Sequence, residues 1–359
     1  MRRRRVALAL AAALALGGCE SFGWGGIPDA ELPAEPIAIH YRTSEQARRH
    51  AEAVAKAAEA GRPAGGGPQL VGSKAHLRAD MNALGSFLAE ALGLQPGAPG
   101  ADRGRLALLD PRSGSLEVVA SALPGSVPMA WSADHDRLLF AQSPGLESGD
   151  VQILEWSRSQ DTVRRVTTGP PVHTQACYGP EGRVVVAAVE GRGEAARSWI
   201  RISQPGGRGP WRDLSPGPAD HSPTCAADGA AVAFVRASAS GRSEVWVVDA
   251  PFDAAPRRLV PGHHPRFAAR APWLLYTATR GRDSRLFRVR ADGTGRAPVG
   301  RDATGGAWPA PSSDASFVAY VASEAVDAET TRRRLLVRRL DGSGDRVLLS
   351  SGEGEHPVW

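Results

Sequence analysis

From Arg105 onward the apolar residues come in short runs, such as Leu138-Leu139-Phe140, Val184-Val185-Val186 and Val232-Ala233-Phe234, punctuated by Pro, Gly and Asp. No long helical spacing runs through this region, so its pattern predicts short strands joined by tight turns. The preceding segment reads differently. Ile37-Ala38-Ile39-His40-Tyr41 alternates as a strand does. Thr43-Ser44-Glu45-Gln46 then offers a capping box, from which an Ala-rich helix is predicted to about Ala60. Gly61 and Pro63 stop it. A second helix is predicted near Lys74–Leu92, where Leu77, Met81, Leu84, Leu88 and Leu92 fall on one face. Both helices are expected to pack on the rest of the chain.

The strand-rich region repeats. A residue just before a turn that leads into an apolar strand recurs as Trp131, Cys177, Cys225, Phe267 and Pro311, spaced 46, 48, 42 and 44 residues apart. Trp359, the last residue, follows after 48 more. Four of these anchors carry a proline two positions earlier: Pro223, Pro265, Pro309 and Pro357. The second half of each unit repeats as well, from starts at 105, 151, 199, 244, 285 and 334, several with an Asp-Gly or Ser-Gly turn. A strand, such a turn and another strand make a hairpin. Two hairpins in about 45 residues make one four-stranded propeller blade.

The register of the repeats also predicts how the ring closes. The first second-half hairpin has no anchor before it, and the last anchor has no hairpin after it. A ring resolves this offset if Glu355–Trp359 supplies the inner strand of the blade completed by 105–119, which removes open sheet edges. Ile37–Tyr41 is the candidate for that blade's second strand. The expected fold is therefore all-β: a six-bladed β-propeller over 105–359, with a short helical N-terminal segment within 37–104.

Turns of the form Trp/Phe-Ser-x-Asp-Gly at this period resemble the WD40-like repeats of the TolB propeller family. The likeness is imperfect, since Arg270 replaces the turn Asp in one unit and the Cys177 unit holds an extra residue. That family's Tol-Pal member has an N-terminal α/β domain, for which residues 20–104 are too short and too helical. The resemblance implies the fold and says little of the function.

The front of the chain sets the compartment. Arg2–Arg5 precede an apolar run from Val6 to Leu16, too short for the roughly 18 residues of a membrane-spanning helix. A basic head, a short apolar core and small residues read as a secretory signal over 1–18. Leu16-Gly17-Gly18-Cys19 resembles the bacterial lipobox, in which the cysteine is acylated and becomes the N-terminus. In such lipoproteins an Asp after the cysteine favours the inner membrane, so Glu20 implies the periplasmic face of the outer membrane. Residues 19–36, rich in Gly and Pro, read as a flexible tether.

Signal removal also changes the charge. The full chain carries +5, and residues 1–18 hold four arginines and no acid, so the remainder carries +1. The basic balance thus gives no argument for nucleic acid.

The chain holds no phosphate loop, GxSxG, HExxH or CxxC motif, and no room for the hydrolase domain that prolyl oligopeptidases add to such blades. Histidine is the recurrent chemical feature. His173, His221, His264 and His356 stand three or four residues before their anchors, at the start of each innermost strand. With Gln175 they are the candidate channel or partner-binding residues. Converging imidazoles could hold a transition metal, and oligogalacturonate lyases are propellers with a metal site, so a metal-dependent polysaccharide lyase is the alternative. The favoured reading is non-enzymatic and needs no cofactor: a scaffold that binds an envelope protein or a peptidoglycan-associated partner and touches the membrane only through its lipid. Trp131, Trp246, Trp273 and Trp308 are expected between blades. Cys177 and Cys225 occupy matching positions on adjacent blades. Inner strands about 8 Å or more apart would exceed the roughly 4.4–6.8 Å that a disulfide spans, so small buried thiols are expected.

Overall fold

The apolar runs become the middle strands of six sheets, each buried on both faces. The computed structural model describes residues 26–49, 52, 104–142, 151–191, 197–237, 242–280, 283–300, 306–325, 331–349 and 352–359. The signal sequence, Cys19 and the second predicted helix lie outside the described residues.

Each sheet has four antiparallel strands. In chain order β1 is Ile37–Arg42, β2 Arg105–Leu109 and β3 Leu116–Val118. Blade two holds β4 (Val127–Trp131), β5 (Arg137–Gln142), β6 (Gln152–Ser157) and β7 (Thr162–Arg165). Blade three holds β8 (Val172–Tyr178), β9 (Val184–Glu190), β10 (Arg197–Gln204) and β11 (Arg208–Asp213). Blade four is β12 (Asp220–Cys225), β13 (Ala231–Ala237), β14 (Ser243–Asp249) and β15 (Arg257–Pro261). Blade five is β16 (His263–Phe267), β17 (Trp273–Arg280), β18 (Asp283–Arg290) and β19 (Ala297–Pro298). Blade six is β20 (Gly306–Pro311), β21 (Phe317–Ala325), β22 (Thr331–Arg339) and β23 (Asp345–Val347), and β24 is Glu353–Val358.

Blade one closes the ring with the order β24-β1-β2-β3. The C-terminal strand is innermost and pairs antiparallel with β1, Tyr41 facing Gly354. Ile37–Arg42 is thus an integral strand of the closing blade, as the offset of the repeats requires. The Thr43–Gln46 capping box forms in both directions: the Gln46 N–H donates to Thr43 Oγ1 at 3.2 Å, and the Thr43 N–H to Gln46 Oε1 at 3.0 Å. Residues 44–49 are helical behind it.

The core sits between blades. Six apolar clusters each join two neighbours, for example Val127, Leu139 and Ile153 of blade two with Ala176, Val184 and Val186 of blade three. Every residue from Val184 to Val189 is buried, because a strand covered on both faces has no polar side. Each such Val, Leu or Ile contributes about 1.5–3 kcal/mol of burial.

Residues 26–36 differ from the expected tether. Ile27 and Leu32 are buried in the cluster joining blades six and one. Arg339 pairs with Glu31, Arg346 with Asp29, and Arg112 Nε donates to Leu32 O at 2.6 Å. Two apolar side chains and three arginine contacts hold this stretch across the closing seam.

Each inner strand also carries a bulge. In four of them the residue before the recurring proline takes a left-handed conformation: Ser222 (φ 53°), His264 (51°), Trp308 (50°) and His356 (51°). Bulky residues rarely adopt this, and the two-versus-one bulge pairing holds them there.

Candidate functional site: the channel and its mouth

The Ser-x-Asp turns fix the ends of the inner strands. Ser132 Oγ donates to Asp134, and Ser312 Oγ donates to Asp314 at 2.6 Å. Asp314 Oδ1 also accepts the Ser316 N–H at 3.0 Å. A side chain that closes its own turn holds the anchor just before it in register. The anchors Trp131, Cys177, Cys225, Phe267, Pro311 and Trp359 accordingly come together around one mouth of the channel. Every blade contributes one. The cavity they surround holds about 240 Å³ and tapers to a waist of about 30 Å³.

The mouth wall is chiefly apolar and aromatic, and its hydroxyls are already engaged. Tyr178 Oη donates to Glu155 at 2.9 Å, Ser132 bonds within its turn, and Thr224 Oγ1 accepts the Phe267 N–H at 3.1 Å. The indole N–H groups of the two tryptophans are satisfied too, Trp131 by Val358 O at 3.2 Å and Trp359 by Glu35 O at 3.1 Å. Arg137 and Arg266 line the cavity, and no Asp or Glu does. Arg137 reaches Glu155 at 4.0 Å and lies over the Tyr178 ring. Arg266 differs: it lines both the mouth and the waist, and its guanidinium has no partner among the described residues. Burial alone lowers it to about 10, which leaves it charged near neutral pH.

The candidate histidines divide into two sets. His264 and His356, three residues before their anchors, line the waist on either side of Trp308, with ring centroids 5.5 and 4.3 Å from its indole. Burial holds both imidazoles well below their usual range, so they are neutral. His173, four before its anchor, packs on Trp211 of the outermost strand at 5.9 Å. Burial first, and then Arg201, lowers it to about 4. His221 Nδ1 lies 2.9 Å from Ser222 Oγ. Successive residues of a strand point to opposite faces, and His173 accordingly lies apart from the waist pair. Among the described residues no three His, Cys, Asp or Glu side chains form a group that could hold a metal ion. Gln175 does line the waist, but its Oε1 accepts the Ser222 N–H at 2.5 Å.

One expectation needs correction. Cys177 and Cys225 are disulfide-bonded, with their Cα atoms 5.7 Å apart. The inner strands approach more closely than expected because the Gln175–Ser222 hydrogen bond ties them together just before the cysteines. Trp308 lies at the waist of the channel as well as against the interblade core. A larger depression of about 800 Å³ lies at the outer edge of blades three and four. Its charges pair locally, Arg212 with Asp253 at 3.1 Å and Arg201 with Asp213 at 3.0 Å, which leaves it an open surface groove.

Arg266 escaped the sequence reading, although its signal was present. The position before the anchor is Ala130, Ala176, Thr224, Ala310 and Val358 in the other five units. One unit alone places a charge there.

Solved structures of similar shape include TolB propellers. A protein assigned as TolB from Agrobacterium tumefaciens matches with a TM-score of 0.56 and 20% identity, over 68% of this chain and 89% of that one. TolB from Acinetobacter baumannii matches with 0.58 and 15%, over 72% of this chain and 62% of that one. The likeness establishes the fold. The chain spans less than two thirds of the Acinetobacter TolB it matches. A similar likeness in fold extends to hydrazine synthase of Kuenenia stuttgartiensis, with a TM-score of 0.53 and 13% identity, over 71% of this chain and 43% of that one. No protein-family model and no curated protein matches the sequence. No helix of the described residues is long and apolar enough to cross a membrane.

Proposed function

We propose that this protein is a lipid-anchored propeller of the bacterial cell envelope that binds a protein partner at the anchor-side mouth, without catalysis. The observation that carries this reading is the mouth itself: one concavity to which all six blades contribute, walled by aromatic and aliphatic side chains. Rigid rings present such mouths on loops that vary at little cost to the fold. The likeness to TolB propellers supports an envelope role, and the Cys177–Cys225 disulfide suits an oxidising compartment such as the periplasm. Acylation at Cys19 would hold the ring at the periplasmic face of the outer membrane.

Two experiments test the reading. Full-length protein is used to capture partners from envelope extract, beside an Ala269→Trp variant that fills the mouth and a Val347→Lys control on the exposed outer strand of blade six. Capture lost with Ala269→Trp and kept with Val347→Lys is the expected result. Equal capture by both removes the mouth from the proposal. Separately, Cys19→Ala should abolish labelled palmitate incorporation and release the protein from the membrane fraction. Palmitate still incorporated after that substitution would end the anchor reading.

A further inference from the structure

An unpaired cation facing the channel needs a reason. Arg266 lines both the mouth and the waist, yet no carboxylate, carbonyl acceptor or aromatic ring pairs with it among the described residues. Other buried or half-buried arginines of this fold are paired: Arg42 with Glu355, Arg236 with Asp220, and Arg338 with Asp345. A partly desolvated guanidinium without a paired anion is costly, and no Asp or Glu side chain lines the cavity around it. The neighbouring imidazoles His264 and His356 are neutral and supply no charge of either sign.

We infer that Arg266 is the anion-binding residue of the mouth and takes a carboxylate of an acidic peptide segment whose adjacent apolar side chain lies on the Trp131, Phe267 and Trp359 wall. This rests on the reading of the mouth as a protein-docking surface and names what docks there. The cavity favours a peptide over a sugar acid. Tyr178 and Ser132 already donate their hydroxyl hydrogens within the protein and Thr224 Oγ1 already accepts one bond, so a polyol would find few partners. An apolar side chain needs none. The volume of about 240 Å³ admits one or two side chains, and the waist of about 30 Å³ stops them beside Arg266. Guanidinium matches carboxylate through paired N–H donors, which a lysine at the same place could not reproduce.

The test uses two blocked peptides, acetyl-Gly-Ser-Leu-Glu-Leu-Gly-amide and its Glu→Gln counterpart, titrated calorimetrically into the wild-type protein, Arg266→Met and Arg266→Lys. Saturable binding of the acidic peptide is expected, weakened about tenfold or more by either Glu→Gln or Arg266→Met and partly restored in Arg266→Lys. Arg266→Met should melt no lower than wild type, since it removes an unpaired charge, so lost binding cannot be put down to unfolding. Equal affinity for both peptides, or no binding of the acidic one at millimolar concentration, overturns the inference. Sodium acetate bound as tightly as the peptide also overturns it, by making the site one for a small free carboxylate. The docking reading is scored separately by envelope capture. If Arg266→Met still captures a partner that Ala269→Trp loses, the mouth stands and the carboxylate falls.

Discussion

Arg42 Nη1 donates to Glu355 Oε2 at 2.9 Å, with the two side chains only 1% and 3% exposed. These residues stand 313 positions apart and belong to the two strands that close blade one. Burial pushes the Glu355 carboxyl up, but Arg333 and Arg42 outweigh it and hold it well below the usual carboxylate range. Breaking a buried pair by removing one partner strands a charge, at about 3–5 kcal/mol. Glu355→Gln should lose roughly that amount, read as the midpoint of urea unfolding. The double variant Arg42→Met with Glu355→Leu should recover most of the loss, because it leaves neither charge buried. A double variant as unstable as the sum of the singles would mean the pair acts through packing instead.

The disulfide makes an independent prediction. Cys177 and Cys225 close a loop of 48 residues, for which restricting the unfolded chain is worth about 2–4 kcal/mol. Changing both to serine, or reducing the wild type, should lower stability by that order while the native circular dichroism persists. Peptide mass mapping without reductant checks the bond itself. Alkylation of both thiols in the oxidised native protein, with no change in midpoint on reduction, would refute it.

The ring was legible in the sequence because a propeller repeats its turns: Trp131 to Trp359 mark six blades, and the unmatched first hairpin and last anchor require a C-terminal inner strand. The disulfide was not, because the gap between inner strands depends on the Gln175–Ser222 contact, which no spacing reveals. The candidate histidines divide for a readable reason. Offsets of three and four from the anchor differ by one residue, and one residue turns a strand's side chain to the other face. His264 and His356 therefore reach the waist while His173 enters the blade against Trp211. The bulges before Pro265 and Pro357 leave the local residues in left-handed conformations that propensity would never assign to histidine.

His173 gives a pH dependence of definite sign. It is 2% exposed, and burial with Arg201 lowers it to about 4. The unfolded chain binds this proton near pH 6.5 and the folded chain does not. Stability should therefore fall as pH drops from about 6.5 towards 4, and then cease to fall on this account. Glu355, lowered instead, loses its contribution only as pH falls below the ordinary carboxylate range, so the two effects separate. Melting curves at pH 7 and pH 5 should differ by several degrees in the wild type and by less in His173→Phe, which keeps a ring against Trp211. An equal drop in both proteins would assign the dependence to other groups.

The C-terminus should prove structural. Trp359 is 8% exposed, packs near Phe317 with ring centroids 6.4 Å apart, and donates its indole N–H to Glu35 O at 3.1 Å. It belongs to the cluster that joins blades six and one, together with Ile37 and Ile39 of β1. A buried tryptophan lost to alanine costs about 3–5 kcal/mol. Deleting Glu355–Trp359 should cost at least as much, because the deletion also removes backbone pairing to β1 and the carboxylate that neutralises Arg42. It would expose the edge of β1, which invites pairing with another chain. Trp359→Ala alone isolates the packing from the strand, so the two variants should fall in order: wild type, Trp359→Ala, deletion. Thermal melts and light scattering of a soluble form without Cys19 measure both stability and association. A deletion that melts with the wild type and stays monodisperse would mean that β1 and the remaining blades hold the ring closed without their inner strand.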